Sequence, residues 1–312
     1  MMPTVFIDGA AGTTGLEIAD RLGPRSDIRL ISLSDADRKN IGARAAIIRD
    51  ADFVILCLPD EAAREAAALG EGAPTRFIDA SSAHRVADGW AYGFAELRAG
   101  QREAIRDARL VSNPGCYPTG FLALVAPLVA EGLLPSDHGF VVNAVSGYSG
   151  GGRDLIARMR NDAVDIGYRA YALGLEHKHL PEMQVHAGLS RAPLFAPAVV
   201  RAFRGMLVDV PLFLDPELGF ADARTLHEAL TDHYAHEALV AVAPMDAVPG
   251  ELLIGEVDAP TDRLTLYVLP SADGSQVRLV AMLDNLGKGA SGAAVQNLNI
   301  MAGLDEMAGL RV

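Results

Sequence analysis

A two-domain α/β chain is the architecture the sequence predicts, with a parallel-sheet domain first and an α+β domain with a mostly antiparallel sheet second. Three observations carry it. The 312 residues exceed what one typical domain holds. Short apolar strands alternate with helical segments as far as residue 113, as in a parallel sheet covered on both faces. Beyond that point the strand candidates lengthen, and several alternate apolar with polar residues, the mark of a sheet with one wet face.

The first strand is TVFID at 4–8, stopped by Gly9. Leu16, Ala19 and Leu22 then share one helical face between Gly12 and Leu22. Ile28–Leu33 is the second strand, FVILCL at 53–58 a central buried one, 61–69 a helix, and RFIDA at 76–80 and RLVSN at 109–113 the last strands of this layer. The second domain contributes FVVNAVS at 140–146, MLVDVPLFL at 206–214, DRLTLYVLP at 262–270 and QVRLVAMLD at 276–284. The stretch 290–309 is a helix with Val295, Leu298 and Ala302 on its core face.

Composition narrows the function classes. Half of the residues are hydrophobic and 21% are charged, which argues against extensive disorder. With 27 Lys+Arg against 40 Asp+Glu the formal charge is −13, so nucleic acid and anionic membrane surfaces are poor partners. Two cysteines make neither a disulfide framework nor a Cys-rich zinc site, and no metal is expected. No apolar run approaches the 18 residues of a membrane span, and MMPTVFIDGA lacks the basic region of a signal peptide. The expected setting is the reducing cytoplasm.

DGAAGTTG places Gly9, Gly12 and Gly15 after a strand and at the mouth of a helix. Glycines so placed allow a tight turn, close approach to a diphosphate, and close helix–strand packing. The helix N-terminus adds N–H donors and partial positive charge. The loop therefore reads as a dinucleotide site. At the end of the second strand, in LSDADRK, Ser34, Arg38 and Lys39 suit a 2′-phosphate and favour NADP, whereas Asp35 suits the free ribose of NAD.

The two cysteines differ in setting. Cys57 lies inside FVILCL and reads as a small buried hydrophobe. Cys116 lies in SNPGCYPTG, where Pro114 and Gly115 turn the chain and Pro118 suits the first turn of a helix. A thiol there gains from the helix dipole and unpaired N–H groups, so Cys116 is the candidate nucleophile. His177 and His179 in EHKHLPEM are the candidate acid–base pair, and an extended segment would point both the same way with Lys178 opposite. His179, beside the Pro-Glu corner, is favoured. His233 and His236 read as surface residues.

SNPGCYPTG resembles the active-site segment of the N-acetyl-gamma-glutamyl-phosphate reductase family, enzymes of arginine biosynthesis. GAAGTTG, SGYSGGGR at 146–153, EHKHLPEM at 176–183 and DNLGKGASGAAVQNLN at 284–299 follow in the family's order and span essentially the whole chain. The length resembles the shorter of the family's two classes. The resemblance implies a Rossmann NADP(H)-binding domain at 1–117, completed by 285–312, and a catalytic and dimerisation domain at 118–284. It implies cofactor contacts at Gly9, Ala11, Gly12, Thr13, Thr14, Gly15, Ser34, Arg38, Pro59, Ser81, Asn285 and Lys288. It implies NADPH-dependent reduction of an acyl phosphate to an aldehyde, while the long exposed strand faces of the second domain point to a homo-oligomer, dimer or tetramer.

The residues supply the parts this chemistry needs. A cysteine thioester needs a nucleophile, an acid–base and an oxyanion or anion site. Asn113, Arg85, Arg153, Ser149, Gly150 and Glu182 are the substrate candidates, the arginines because a guanidinium grips phosphate or carboxylate bidentately. A related reductase of lysine biosynthesis has a similar core. A cysteine hydrolase would use the same Cys–His pair but leave the glycine loop without a role, and a silent dinucleotide sensor would leave Cys116 without one.

Overall fold

A computed structural model describes residues 2–34, 36–38, 40–161, 165–247, 249–255 and 259–312. Asp35 and Lys39, which bear on the choice of cofactor, lie outside these. The chain starts with β1 (Thr4–Asp8), α1 (Thr13–Leu22), β2 (Arg29–Ile31), α2 (Ile41–Asp50), β3 (Phe53–Leu56) and α3 (Asp60–Leu69). It continues with β4 (Arg76–Asp79), β5 (Ala91–Tyr92), α4 (Gln101–Asp107), β6 (Leu110–Ser112) and α5 (Cys116–Ala130). Then come β7 (Val141–Gly147), α6 (Gly152–Met159), β8 (Tyr168–Ala170), α7 (Leu180–His186), β9 (Leu194–Val200) and β10 (Met206–Phe213). Last are α8 (Ala223–His233), β11 (Val240–Val242), β12 (Leu264–Pro270), β13 (Gln276–Leu283) and α9 (Gly292–Ala302).

These elements form two compact units. The first holds residues 1–95, 99–115 and 290–310; the second holds 96–98, 116–289 and 311–312. Against the expected division, Cys116 and Tyr117 fall with the second unit, because they open a helix of its core. Residues 285–289 do so as well, because their turn is seated on that helix and on Thr261.

Among the described residues the first unit has a six-stranded sheet ordered β2-β1-β3-β4-β6-β5, parallel throughout. Side chains alternate across a strand, so β1 feeds two cores. Val5 and Ile7 join Ile18, Ile55, Val111 and the α9 residues Val295 and Leu298 on one face. Phe6 joins Ile48, Val54, Leu56 and Phe77 on the other. Burial on both faces explains why these strands are apolar without alternation. The C-terminal helix α9 thus belongs to the first unit's core.

The second unit has a mixed sheet, ordered β11-β12-β13-β10-β7-β9-β8 among the described residues. Four of its pairings are antiparallel, and β11·β12 and β7·β9 are parallel. The helix α5 lies against β10 and β13 on one side and α7 and α8 on the other. Twelve of its residues are buried, from Tyr117 to Leu128. It contains Pro127, which lacks the N–H that would bond Ala123 O. The hydroxyl of Tyr234, after α8, donates to that carbonyl instead, at 3.0 Å.

Several elements escape apolar periodicity. The strand β9 carries Pro197, which argues against a strand on sequence grounds. The helix α2, IGARAAIIRD, buries Ile48 and little else, so it has no readable core face. No helix among the described residues is long and apolar enough to cross a membrane.

Replacing Tyr234 by Phe leaves Ala123 O buried without its donor. The expected cost is about 1–3 kcal/mol, read as a lower urea midpoint at unchanged m-value. An unchanged midpoint would show that the helix needs no substitute for the bond Pro127 removes.

Candidate active site

In the first unit, the chain turns at Gly9, whose φ of 90° is in the left-handed region. A Cβ on Gly15 would stand 2.5 Å from Gly9 O, so this position must be glycine for α1 to approach the turn. Gly12 is the N-cap of α1, with no side chain capping the helix and no acidic residue in its first turn. Gly9 to Gly15, with Ala11, Thr13 and Thr14 half-buried between them, therefore presents an open helix N-terminus to a diphosphate. These residues fit a dinucleotide. Arg44 of α2 reaches back to Asp8 at the end of β1, at 2.7 Å. Ser34 and Arg38 are exposed, and the Ser34 hydroxyl donates to Asp37 at 2.6 Å.

The loops after β3 and β4 lie at the carboxyl edge of the same sheet. Pro59 is exposed there and caps α3. Asp79 is fully buried and accepts from the Ser81 backbone and hydroxyl and bonds His84 Nδ1, at 2.9, 2.7 and 2.6 Å. The His84 ring stacks on Trp90 with centroids 4.0 Å apart. Arg85, in the same loop, is buried and donates to Asn113 O at 3.0 Å. Ser81 is thus bound to Asp79 by its hydroxyl. The Asn113 side chain donates to Ala290 O and accepts from Asn297, each at 3.0 Å. This corrects the expectation for Asn113: its amide ties the cysteine turn to the start of the last helix, so both ends are committed within the protein.

Cys57 stands just beyond β3, half-buried. Burial, with Asp79 and Asp8 adding to it, pushes its thiol up to about 12. It is an inert thiol.

In the second unit, Cys116 is the first residue of α5 and is partly exposed. Pro118 falls within the first turn, where its missing N–H has no helical partner to lose. His179 is the N-cap of α7, the helix packed against α5, and is buried. The segment before it is a turn rather than extended chain, which corrects the expected alternation. The His179 backbone N–H donates to His177 Nδ1 at 3.1 Å. The turn still brings the two rings together, with centroids 4.7 Å apart, and leaves Lys178 exposed. With Nδ1 accepting, neutral His177 carries its proton on Nε2. Two non-glycine residues on the way into this turn, Ala172 and Leu175, have left-handed φ of 54° and 59°, a strain that recurs at functional sites.

The aromatic surround was not legible in the sequence. Tyr117 edges onto His177 and His179 with centroids 6.3 and 5.9 Å away, and Tyr171 onto His177 at 5.6 Å. The Tyr117 hydroxyl donates to Ala198 O at 3.0 Å, and the Tyr171 hydroxyl to Tyr117 at 3.4 Å. Burial drives the Tyr117 phenol far upward and, with the Cys116 charge adding to it, Tyr171 up to about 12. Both phenols therefore favour the protonated form at neutral pH.

The turn after β13 comes next. Asn285 donates to the Ser149 hydroxyl at 2.8 Å, while its Oδ1 is buried without a protein partner, an acceptor open to a ligand. Gly150 and Arg153 are exposed beside it in sequence, and Glu182 of α7 is fully buried. The ammonium of Lys288, which the resemblance put at the cofactor, is turned to a buried carboxylate. It is buried and ion-paired with Glu96 at 2.7 Å. His233, read as a surface residue, is half-buried and bonds Glu96 O at 3.1 Å. A chain signal for Glu96 is absent, because its partner lies almost two hundred residues away. Among the described residues no cluster of three or more His, Cys, Asp or Glu is arranged for a metal.

Comparison with known proteins agrees with this layout. Residues 4–108 match the model of the semialdehyde dehydrogenase NAD binding domain, and 116–285 match that of the semialdehyde dehydrogenase dimerisation domain. N-acetyl-gamma-glutamyl-phosphate reductases from Brucella ovis and Brucella canis are each 52% identical, over 97% of this chain and 100% of theirs. In fold the chain is similar to aspartate semialdehyde dehydrogenase II from Vibrio cholerae, with a TM-score of 0.74 at 16% identity over 97% of this chain and 99% of that one. It is also similar to aspartate semialdehyde dehydrogenase with NADP from Candida albicans, at 0.64 and 12% over 97% of this chain and 99% of that one.

The contrast between the two thiols is measurable. With its thiol near 12, Cys57 holds a thiolate fraction of about 10⁻⁴ at pH 8. Iodoacetamide should then label Cys116 at least ~100-fold faster than Cys57, read by peptide mass spectrometry. Equal rates would contradict the assignment of one inert and one reactive thiol.

Proposed function

The chain belongs to the semialdehyde dehydrogenase family, among the N-acetyl-gamma-glutamyl-phosphate reductases, and from that premise we propose that it reduces N-acetyl-L-glutamyl 5-phosphate to N-acetyl-L-glutamate 5-semialdehyde and phosphate, a step of arginine biosynthesis. The observation that carries this reading is Cys116 at the head of α5, with His179 at the head of the helix packed on it.

Cys116 attacks the acyl carbon, and the C–O bond to phosphate breaks, leaving a thioester on its sulfur. His179 accepts the thiol proton and returns it to the departing phosphate oxygen. His177 accepts from the His179 backbone and thereby holds the turn that orients the catalytic ring. NADPH, when bound, supplies the hydride. The sulfur–carbon bond then breaks, the aldehyde leaves, and the Cys116 thiolate is restored. N–H groups at the amino end of α5 offer donors to the carbonyl oxygen as it gains charge.

Gly9, Ala11, Gly12, Thr13, Thr14 and Gly15 would hold the cofactor diphosphate, supported by the open helix end they form. Ser34 and Arg38 would take the 2′-phosphate, with Pro59 and Ser81 at the same sheet edge. In the second unit, Arg153, Gly150 and Ser149 would meet the substrate, with Asn285 offering its open oxygen. Glu182, wholly buried in the first turn of α7, keeps its place among the substrate residues in this reading. Arg85 keeps its place in this reading as a cation for substrate anions. The reading includes a homo-oligomer, since the second unit matches a dimerisation domain and its sheet leaves Val141, Leu194 and Phe213 exposed. It also includes residence in the cytoplasm, where a free thiol survives.

Cys116→Ser should lower phosphate-dependent NADP reduction with N-acetylglutamate semialdehyde by about 10³-fold or more. NADPH binding, followed by its fluorescence, should persist. Wild-type turnover in this variant would sink the covalent route.

A further inference from the structure

We propose that Lys288 is a positioning residue for Cys116, acting through its buried ion pair with Glu96 and the glycine turn between them and the thiol. Lys288 and Glu96 are 2% and 3% exposed. The ammonium lies 2.7 and 2.8 Å from the two carboxylate oxygens. Glu96 is anchored in turn, its backbone carbonyl bonded by His233 at 3.1 Å. A buried cation without a counter-charge is costly, so this pair clamps the backbone on which Lys288 sits.

That backbone is a π-helical turn, Gly287–Ser291, a distortion common at functional sites. Its other contacts are equally tight. Gly287 lies against Thr261 O with no room for a side chain. The Gly289 N–H donates to Asp284 O at 3.0 Å, and Asp284 is itself paired with Arg204 at 2.7 Å. Gly289 is the floor beneath the nucleophile, since a Cβ there would stand 2.8 Å from Cys116 Cβ. Lys288 is its immediate neighbour in the chain. A shift of the turn is therefore a shift of the surface that the thiol rests on. The pair also matters electrically. Removing either partner changes by one the charge buried beside the turn on which Cys116 rests.

The inference rests on Cys116 being the nucleophile, and its test reads the thiol directly, so it can fail while that reading stands. Glu96→Gln keeps a hydrogen-bonding oxygen but removes the negative charge facing Lys288. Lys288→Met removes the positive charge facing Glu96. In each variant kcat, KM for NADPH, the melting temperature and the pH midpoint of Cys116 alkylation by iodoacetamide are measured. Tyr117 and Tyr171, which feel the Cys116 charge, and His177 and His179, whose rings lie against Tyr117, are the same in every protein compared. The expected result is a fall in kcat of about tenfold or more with KM for NADPH within about twofold. The alkylation midpoint should fall in Glu96→Gln and rise in Lys288→Met, by about half a pH unit or more. A raised KM for NADPH at unchanged kcat would assign Lys288 to the cofactor and overturn the proposal. A lower melting temperature with kcat and midpoint unchanged would make the pair purely structural and overturn it as well. Should Lys288→Met fail to fold, Glu96→Gln decides alone on the same readings.

Discussion

A helix whose first residue, Cys116, must hold one position cannot be allowed to slide. Here the constraint is met by burial. From Tyr117 to Leu128, α5 is enclosed by the sheet on one side and α7 and α8 on the other. Translating it by one residue would uncover apolar surface and misalign every contact. Cys116 inherits that rigidity and adds the partial positive charge of the helix end. The internal Pro127 shows how firmly the helix is held in place. It removes a backbone bond in the core, and the hydroxyl of Tyr234, just past α8, supplies the missing donor.

Buried polar pairs then join distant parts of the chain to this centre. In the first unit, Asn113 binds Ala290 and Asn297, tying the approach to the cysteine to the start of α9. In the second, Arg204–Asp284 and Lys288–Glu96 hold the two ends of the glycine turn. Such pairs add little net stability compared with apolar replacements. Their value lies in admitting one arrangement, since any other leaves a buried charge or amide unsatisfied.

Environment, not residue type, separates the two cysteines. Cys57 is desolvated near Asp8 and Asp79, and both effects oppose the thiolate. Cys116 sits at a helix N-terminus instead. The same logic removes the tyrosines as proton acceptors, because desolvation keeps Tyr117 and Tyr171 neutral. The chain's charge of −13 is no guide to any of this. Local arrangement decides it over a few ångströms.

Local pattern was enough for most strands of the two sheets, the glycine turn before α1 and the helix start at Cys116. Each is a short stretch whose backbone demands or side-chain period are written in consecutive residues. The strand β9 was hidden by Pro197, and α2 by its lack of an apolar face. The turn at His177–His179 defeated an extended reading because one ring nitrogen captures a backbone N–H, a bond with no signature in composition. Asn113 and Lys288 were legible as polar residues beside a motif, and so looked like ligand contacts. Their partners are Ala290, Asn297 and Glu96, between 177 and 192 residues away in the chain. Sequence by itself therefore determined the fold class and the turns that open α1 and α5. Tertiary structure alone decided which polar side chains are buried and paired across the fold. Burial and pairing arise between residues that never meet in the sequence.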